Sequence, residues 1–317
     1  MNIKAFIKLI RFDNLLVIAL TMLATRYGLM QPILSLQYPS ACLQLSTVDF
    51  SLLIISTMLI AAAGYIINDY FDIKTDRINK PEKLYIDNGV KRRVAIITHI
   101  ILNVIGLLLS VYVSMKSNAP PLLFAIAAIV LLWFYSTHFK RQVLIGNLVV
   151  ALLTAMIPLQ VFFFDMSNFI VRTAPPFINY SFVLIAVICF SVFAFLLSMV
   201  REIIKDIEDL KGDFETGCKT MPVVWGIKAA KAIAAGLISN TVLLLFFIFY
   251  KLYKQHFSML LIYLFVFVFV PLIILIWKLY KSHQKNEYHQ LSKWVKYIML
   301  SGVLATSLIY LTCNGFI

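Results

Sequence analysis

The residues best suited to chemistry are carboxylates gathered in two short stretches, GYIINDYFDIKTDRINKP at 64–81 and REIIKDIEDLKGDFETG at 201–217. Eleven of the fifteen acidic residues of the chain lie at 69–87 or 202–215. In each stretch three aspartates repeat at i, i+3 and i+7: Asp69, Asp72 and Asp76, then Asp206, Asp209 and Asp213. On a helix this spacing puts the three side chains on one face.

Like charges stacked on one face repel, so a cation has to compensate them. Salt bridges to the interleaved bases are one interpretation, which would make each stretch an ordinary charged loop; these bases are Lys74, Arg77, Lys205 and Lys211. The other is Mg²⁺, which takes oxygen ligands, keeps several waters and typically bridges one or two carboxylates to substrate phosphates. Because the same spacing occurs twice, the metal interpretation is favoured.

Asn68 can add an amide oxygen to this set, since it precedes the first aspartate and lies one turn before Asp72. Helix capping or an interhelical hydrogen bond is its alternative role. The predicted magnesium ligands are therefore Asn68, Asp69, Asp72, Asp76, Asp206, Asp209 and Asp213.

Basic side chains near the acids can bind the outer oxygens of a phosphate group. Lys140 and Arg141 lie in a short turn between two apolar stretches, with Tyr135 just before them. Arginine binds phosphate as a bidentate fork and lysine as a point charge. The marking of cytoplasmic loops by positive charge is the alternative explanation. The predicted diphosphate-binding residues are Arg77, Tyr135, Lys140, Arg141, Arg201 and Lys205.

The elements that position these residues are predicted to be membrane helices. Of the 317 residues, 61% are hydrophobic and 14% charged, whereas a soluble domain has about a quarter charged residues. Stretches long enough to cross a bilayer, which takes about 20 residues, lie at 13–34, 50–68, 94–115, 119–137, 142–164, 180–200, 231–250, 257–277 and 297–316. This predicts an all-α polytopic membrane bundle of about nine helices, with residues 1–317 forming a single domain. The number of helices is predicted to within one, because the first stretch contains Arg26 and the fifth contains Pro158.

The net charge of +13 is distributed unevenly along the chain. With the N-terminus in the cytoplasm, 23 of the 28 lysines and arginines fall in cytoplasmic segments. The positive-inside rule therefore predicts a cytoplasmic N-terminus and places both acidic stretches at the cytoplasmic face. These bases are suited to anionic lipid head groups, and their placement argues against nucleic acid as a partner.

Several other classes of chemistry are disfavoured. No nucleotide-binding glycine pattern is present, and Gly212 and Gly217 are interpreted as turn residues. The four cysteines show no CxxC spacing, which disfavours a zinc site or a disulfide framework. Intramembrane polar residues also occur in transporters, but here the acids lie at one membrane face rather than near the midplane.

At these residues the sequence resembles the UbiA superfamily of intramembrane prenyltransferases. NDYFDIKTD at 68–76 matches the NDxxDxxxD motif of that family, and KDIEDLKGD at 205–213 matches its KDxxDxxGD motif. The resemblance implies that Mg²⁺ held by the two motifs binds a polyprenyl diphosphate, whose prenyl group passes to a lipophilic acceptor. It implies catalytic roles for Asp72, Asp76 and Asp209. It also implies an integral protein of a bacterial or archaeal cell membrane with a cytoplasmic active site.

DRINKP at 76–81 and REIIKDIEDLKGD at 201–213 look most similar to the branch that makes digeranylgeranylglyceryl phosphate, and to its bacterial relatives. The acceptor of that branch is the hydroxyl of a prenylglycerol phosphate, and the expected prenyl group is geranylgeranyl. Lys80 stands where the branch often carries arginine. The alternative within the family is an enzyme that prenylates an aromatic quinone precursor such as a dihydroxynaphthoate or a hydroxybenzoate.

Overall fold

The computed structural model describes residues 3–37, 43–117, 122–166 and 180–313, and its elements are helices. Numbered in chain order, they are α1 Ile3–Leu9, α2 Phe12–Leu36, α3 Thr47–Asn79, α4 Arg92–Ser117, α5 Leu122–Thr137, α6 Ile145–Asp165, α7 Tyr180–Glu208, α8 Leu210–Glu215, α9 Met221–Lys254, α10 Ser258–Lys281 and α11 Lys285–Cys313. Helix α2 contains a π-helical segment at Ala24–Met30, and α10 contains one at Phe265–Phe269. A 3-10 turn at Phe139–Arg141 connects α5 to α6.

The predicted all-α membrane bundle is confirmed. Among the described residues, eight helices are long and apolar enough to cross a bilayer, namely α2, α3, α4, α6, α7, α9, α10 and α11. Helix α5 is apolar but has only 16 residues, fewer than the roughly 20 that a full span takes. The residues just before it, 118–121, lie outside the described part of the chain. The count of nine and the orientation of the N-terminus stay predictions.

Helix α3 is longer than the apolar stretch that predicts it. Its 33 residues give a length of roughly 50 Å at about 1.5 Å per residue, against a hydrocarbon core of about 30 Å. The helix stops at Asn79 because Pro81 disfavours helical backbone in the residue before it, and Lys80 has φ −147° and ψ 60°. The last turns of α3, which carry the first aspartate motif, can therefore extend beyond the apolar core of the bilayer.

Helix α7 ends inside the second motif. Its last residue is Glu208, and α8 begins after Asp209, whose φ of −95° and ψ of 5° depart from helical values. After α8, Gly217 has φ +73°, a left-handed conformation that glycine adopts at little cost. The prediction of a turn at Gly217 is confirmed. The second motif is therefore not one continuous helix, unlike the first.

Helix α7 is also the element shared by the two largest apolar clusters of the bundle. One cluster packs it against α9, α10 and α11 through residues such as Leu197, Ile238 and Leu272. The other packs it against α2, α3 and α6 through residues such as Val187 and Val161. Close packing is what holds helices together in lipid, so both clusters fix the position of the second motif.

The arginine in the first predicted span has a buried partner. Arg26 Nε lies 3.0 Å from Asp165 Oδ2, and its guanidinium lies 4.3 Å from the centre of the Phe50 ring. The guanidinium also donates to the backbone carbonyl of Leu45, whose N–H donates to Asp165 Oδ1 at 3.0 Å. Charged groups inside membrane helices usually pair in the protein interior. Arg26 therefore joins α2 to α6 and does not interrupt the span.

Candidate active site

A cavity of about 860 Å³ opens where the motif-bearing ends of α3 and α7 meet. Helices α2, α5, α6 and α11 complete its wall. All seven predicted magnesium ligands line it: Asn68, Asp69, Asp72, Asp76, Asp206, Asp209 and Asp213. The structure thus brings the two acidic stretches to one site, although they are far apart in sequence.

In the first motif, two aspartates form ion pairs with bases from other elements. Arg11, between α1 and α2, places Nη2 at 2.7 Å from Asp69 Oδ1. Lys140, in the turn before α6, places Nζ at 2.6 Å from Asp72 Oδ1 and at 3.5 Å from Asn68 Oδ1. Both bases line the cavity, so these pairs form within the site.

In the second motif each aspartate has a different partner. Asn147 Nδ2 donates to Asp206 Oδ2 at 2.8 Å, and Lys80 Nζ lies 2.6 Å from Asp209 Oδ2. Thr220 Oγ1 donates to Asp213 Oδ2 at 3.1 Å. The other oxygen of Asp209, Oδ1, is buried and has no hydrogen-bond partner among the described residues.

The charges at the end of α3 and in α8 perturb one another. Burial raises the pKa of Asp213 to about 7, and the nearby charge of Asp209 acts in the same direction, while the hydrogen bond from Thr220 opposes it. Burial by itself would lower the pKa of Lys80, but the ion pair with Asp209 and the nearby charges of Glu208 and Asp76 together raise it. A cation that binds beside Asp209 and Asp213 would therefore relieve an unfavourable concentration of negative charge.

Asn79, the last residue of α3, joins the two motifs directly. Its Nδ2 donates to the backbone carbonyl of Asp209 at 2.9 Å, and its Oδ1 accepts from the Gly212 N–H at 2.9 Å. Lys285 Nζ donates to the Asn79 carbonyl at 2.6 Å. A Cβ on Gly212 would lie only 2.4–2.6 Å from the Asn79 amide. Gly212 therefore permits a close approach inside α8, and its interpretation as a turn residue is wrong.

Four of the six predicted diphosphate-binding residues line the cavity: Tyr135, Lys140, Arg201 and Lys205. Arg201 Nη1 and Lys205 Nζ each lie 2.9 Å from an oxygen of Glu202, which is buried. Glu202 thereby holds two cationic donors on the same wall as Asp206.

The other two, Arg77 and Arg141, do not line this cavity, so the structure does not bring them to the predicted diphosphate site. Arg77 follows Asp72 by five residues, which on a helix turns its side chain about 140° away from the aspartate face. Arg141 follows Lys140 in a tight turn, and its carbonyl accepts from the Lys219 N–H at 2.9 Å. Both arginines instead line a second cavity on another face of α3.

Five residues of the site are not among those predicted from the sequence: Arg11, Asn79, Lys80, Asn147 and Glu202. Asn79 and Lys80 directly follow the first motif, and Glu202 opens the second stretch, so proximity to a motif could have identified these three. Arg11 and Asn147 carry no local signal, because their partners lie 58 and 59 residues away in sequence.

The arrangement of carboxylates fits Mg²⁺ bound together with a diphosphate. In the described part of the chain, no three Asp, Glu, His or Cys side chains converge closely enough to enclose a metal ion by themselves. Magnesium does not need such a cage, since it commonly takes one or two carboxylates and completes its shell with water and phosphate oxygens. The unpartnered Oδ1 of Asp209 and the raised pKa of Asp213 are both features that a bound cation would relieve.

Away from the motifs the cavity wall becomes largely apolar. Its side chains there include Val17, Leu53, Ile60, Leu132, Ile157, Phe190 and Phe193. The polar side chains in this part are uncharged, and several of them form hydrogen bonds within the protein; for example, Gln160 Nε2 donates to Thr57 Oγ1 at 3.0 Å. A charged mouth above an apolar interior suits an amphiphile with an anionic head and a hydrocarbon tail.

Two facing aspartate motifs above an apolar cavity, in a bundle of membrane helices, define an intramembrane enzyme for a lipid-like anionic substrate. The chain belongs to the UbiA prenyltransferase family, whose model matches residues 35–301. It is therefore an integral membrane prenyltransferase, and the transporter interpretation is not supported.

Two relatives show the extent of the similarity. Digeranylgeranylglyceryl phosphate synthase of Saccharolobus solfataricus is 30% identical over 312 residues, which cover 96% of each protein. The enzyme of the same name from Thermococcus sibiricus is 30% identical over 238 residues, 74% of this chain and 72% of that protein.

Solved structures share the fold at lower identity. A UbiA homologue from Archaeoglobus fulgidus, bound to DMAPP and Mg²⁺, is 17% identical with a TM-score of 0.62, over 95% of this chain and 99% of that one. A structure from work on digeranylgeranylglyceryl phosphate synthase in membranes is 22% identical with a TM-score of 0.61, over 96% of this chain and 98% of that one. Both support the same helical architecture.

Replacing Asn79 by alanine is expected to lower both stability and activity. The change leaves the buried Gly212 N–H without its acceptor and frees α8 from the end of α3, at a cost of about 1–3 kcal/mol. Thermal unfolding in detergent and the transfer rate per folded molecule measure the two effects. Asn88→Ala, in an exposed loop, is the matched control and should change neither. An Asn79→Ala protein as stable and active as the control would contradict the role of Asn79 in joining the motifs.

Proposed function

We propose that the protein transfers a polyprenyl group, expected to be geranylgeranyl, from its diphosphate to the hydroxyl of a prenylglycerol phosphate, in a reaction that requires Mg²⁺. The observation that carries the proposal is the meeting of two aspartate motifs at the mouth of one apolar cavity. The names of the relatives at 30% identity support the acceptor. We also propose that residues 1–317 work as a single domain.

The proposed reaction breaks the allylic C–O bond, so that the diphosphate leaves with the electron pair and the prenyl carbon becomes cationic. The acceptor hydroxyl oxygen then bonds to that carbon, and its proton passes to the released diphosphate. Mg²⁺ bound by the two motifs would stabilise the negative charge that develops on the departing oxygen. The residues proposed to hold it are the seven aspartate and asparagine ligands named above. Asp72, Asp76 and Asp209 are the proposed catalytic residues among them.

The two lysines that pair with aspartates of the motifs are proposed to bind the diphosphate. Lys140 and Lys80 pair with Asp72 and Asp209 in the structure, at 2.6 Å in both cases. With Asp72 and Asp209 as ligands of the metal, the two ammonium groups would be free to donate to phosphate oxygens. Each lysine would thus bind the departing diphosphate from its present position in the cavity.

Other residues are proposed to bind the diphosphate and the prenyl carbon. Arg201 and Lys205, held by Glu202, can donate to the outer oxygens of the diphosphate. The rings of Tyr65 and Tyr135 line the same cavity and can face the allylic cation. The hydrocarbon tail would lie along the apolar wall.

An acceptor panel tests the proposal. Purified protein in nanodiscs receives labelled geranylgeranyl diphosphate, Mg²⁺ and one acceptor at a time: geranylgeranylglycerol phosphate, a dihydroxynaphthoate or a hydroxybenzoate. Labelled product is expected with the glycerol phosphate acceptor, and the aromatic acceptors are expected to give none. Product formed only with an aromatic acceptor would overturn the acceptor assignment while retaining prenyl transfer. The lack of product with every acceptor would contradict the proposed reaction itself.

We further propose that the active site faces the cytoplasm of a bacterial or archaeal cell, which the placement of basic residues supports. Single cysteines are introduced at Asn88, Glu215 and Gln255, all exposed, in a background without native cysteines. An impermeant thiol reagent is expected to label the first two only in inverted vesicles and the third only in intact cells. Labelling of Asn88→Cys and Glu215→Cys from opposite sides would contradict a shared site.

A further inference from the structure

A second cavity, of about 420 Å³, lies on another face of α3 and is rich in basic residues. It is lined by Tyr70, Phe71, Ile73, Lys74, Arg77, Arg92 and Arg141. Of these seven described residues, four are cationic and none is acidic. The cavity draws on three elements, namely the end of α3, the start of α4 and the turn before α6.

The positive charge of this second cavity is poorly compensated. Arg92 pairs with the exposed Asp87 at 2.6 Å, and Arg77 acts on the same carboxylate only at longer range. Within the described part of the chain, neither Lys74 nor Arg141 forms a salt bridge to a carboxylate. Cations held close together repel one another, so the cavity favours an anion from outside the protein.

Exposed aromatic residues beside the second cavity indicate that it lies near the membrane interface. Phe71 in its wall packs edge-on against Trp133, with ring centroids 6.1 Å apart. Trp133 and Phe134 on α5 are each 44% exposed on the surface of the bundle, and α5 ends at Thr137. Exposed aromatic residues near the end of a membrane helix are typical of the head-group region.

The second cavity is also separated from the active site by α3 itself. Tyr70, Lys74 and Arg77 follow the i, i+4, i+7 spacing of one helix face, and this face differs from the one that carries Asp72. An anion bound here would therefore not take part in prenyl transfer directly.

We propose that this cavity binds the phosphate of an anionic bilayer lipid, with the acyl chains lying along the exposed aromatic side of α5. Arg77 and Arg141 can donate paired hydrogen bonds to a phosphate, and each base near the head groups strengthens binding to anionic lipid. The lipid would connect α3 to the turn before α6. Lys140, the partner of Asp72, lies in that turn, so the lipid would steady one wall of the active site. This inference does not depend on which acceptor the enzyme uses.

Native mass spectrometry of the detergent-purified protein with added phosphatidylglycerol tests the proposal. The Arg77→Gln/Arg141→Gln double variant is compared with Lys91→Gln/Arg93→Gln, which removes the same charge from exposed residues outside the cavity. The cavity variant is expected to bind phosphatidylglycerol more weakly by on the order of thirtyfold, because the two bases together contribute about 2 kcal/mol. The control variant should bind like the wild type. Size-exclusion chromatography confirms that each protein is monodisperse.

Three outcomes would overturn the proposal. Equal weakening in both double variants would mean that the lipid responds only to total surface charge. Unchanged binding in the cavity variant would mean that lipid binds elsewhere. The third outcome concerns thermal unfolding of the wild type in detergent. If millimolar inorganic phosphate raised its unfolding temperature as much as phosphatidylglycerol does, and only the cavity variant lost this effect, the ligand would be free phosphate instead of a lipid.

Discussion

Changing Asp72 or Asp209 to asparagine is expected to lower the rate of prenyl transfer by on the order of a hundredfold or more, with folding and insertion intact. Asparagine keeps the size of the side chain and one oxygen, but it lacks the charge that would hold the metal against the diphosphate. Both aspartates line the cavity and make their ion pairs inside it. The rate is measured per monodisperse molecule, because a misinserted variant would mimic a catalytic defect.

Glu82→Gln and Glu215→Gln are the matched controls for these variants. Both glutamates lie close in sequence to the motifs, and both are exposed and outside the cavity. Their replacement should leave transfer close to that of the wild type. If Asp72 and Asp209 merely balanced nearby lysines, their loss would lower stability, because these ion pairs are largely buried, but the transfer rate per folded molecule would stay near that of the wild type. Near-normal transfer by both aspartate variants would therefore contradict the metal interpretation.

Removal of divalent cations by excess EDTA is expected to abolish transfer, and added Mg²⁺ is expected to restore it. The proposed ligands are oxygens of aspartate and asparagine, which suit a hard ion of this kind. Without it, the charge on the departing diphosphate would be stabilised by Lys and Arg side chains alone. Product formation is followed while MgCl₂ is titrated back. Full turnover in excess EDTA would contradict the metal assignment of both motifs.

Binding provides a second measurement of the same requirement. Calorimetry with a non-hydrolysable prenyl diphosphate analogue should show tight binding in Mg²⁺ and weak binding in EDTA. A monovalent salt at equal ionic strength is the control and should not replace Mg²⁺. Equal affinity in all three solutions would show that the motifs hold the diphosphate without a metal.

The membrane helices and the motifs could be predicted from the sequence because their signals are local. A run of apolar residues predicts a span wherever it folds, and the spacing of Asp69, Asp72 and Asp76 predicts one helix face without further information. The same spacing did not guarantee a continuous helix in the second motif, since the backbone departs from helical geometry at Asp209. The three side chains still reach the cavity because α8 packs against α3 through Asn79.

The partners of the aspartates could not be predicted, because they come from distant parts of the chain. Lys80 and Asp209 are 129 residues apart, and Arg11 and Asp69 are 58 apart. A positive charge beside a motif in sequence indicates only that a base is near, and the local backbone decides which cavity the base enters. Arg77 and Lys80 are three residues apart, yet they line different cavities, because Lys80 follows the end of α3 with non-helical backbone angles.

The ion pairs inside the active site have a consequence for how substrate affinity responds to salt. Eight lysines and arginines line the cavity beside nine aspartates and glutamates, so the site is close to neutral overall. A diphosphate that arrives with its magnesium also carries little net charge. The enzyme site and the magnesium diphosphate are then both nearly neutral when the substrate binds. Little long-range electrostatic attraction acts between them, so there is little for salt to screen. The Michaelis constant should therefore change only slightly between low and physiological ionic strength, whereas a purely basic pocket would lose affinity steeply.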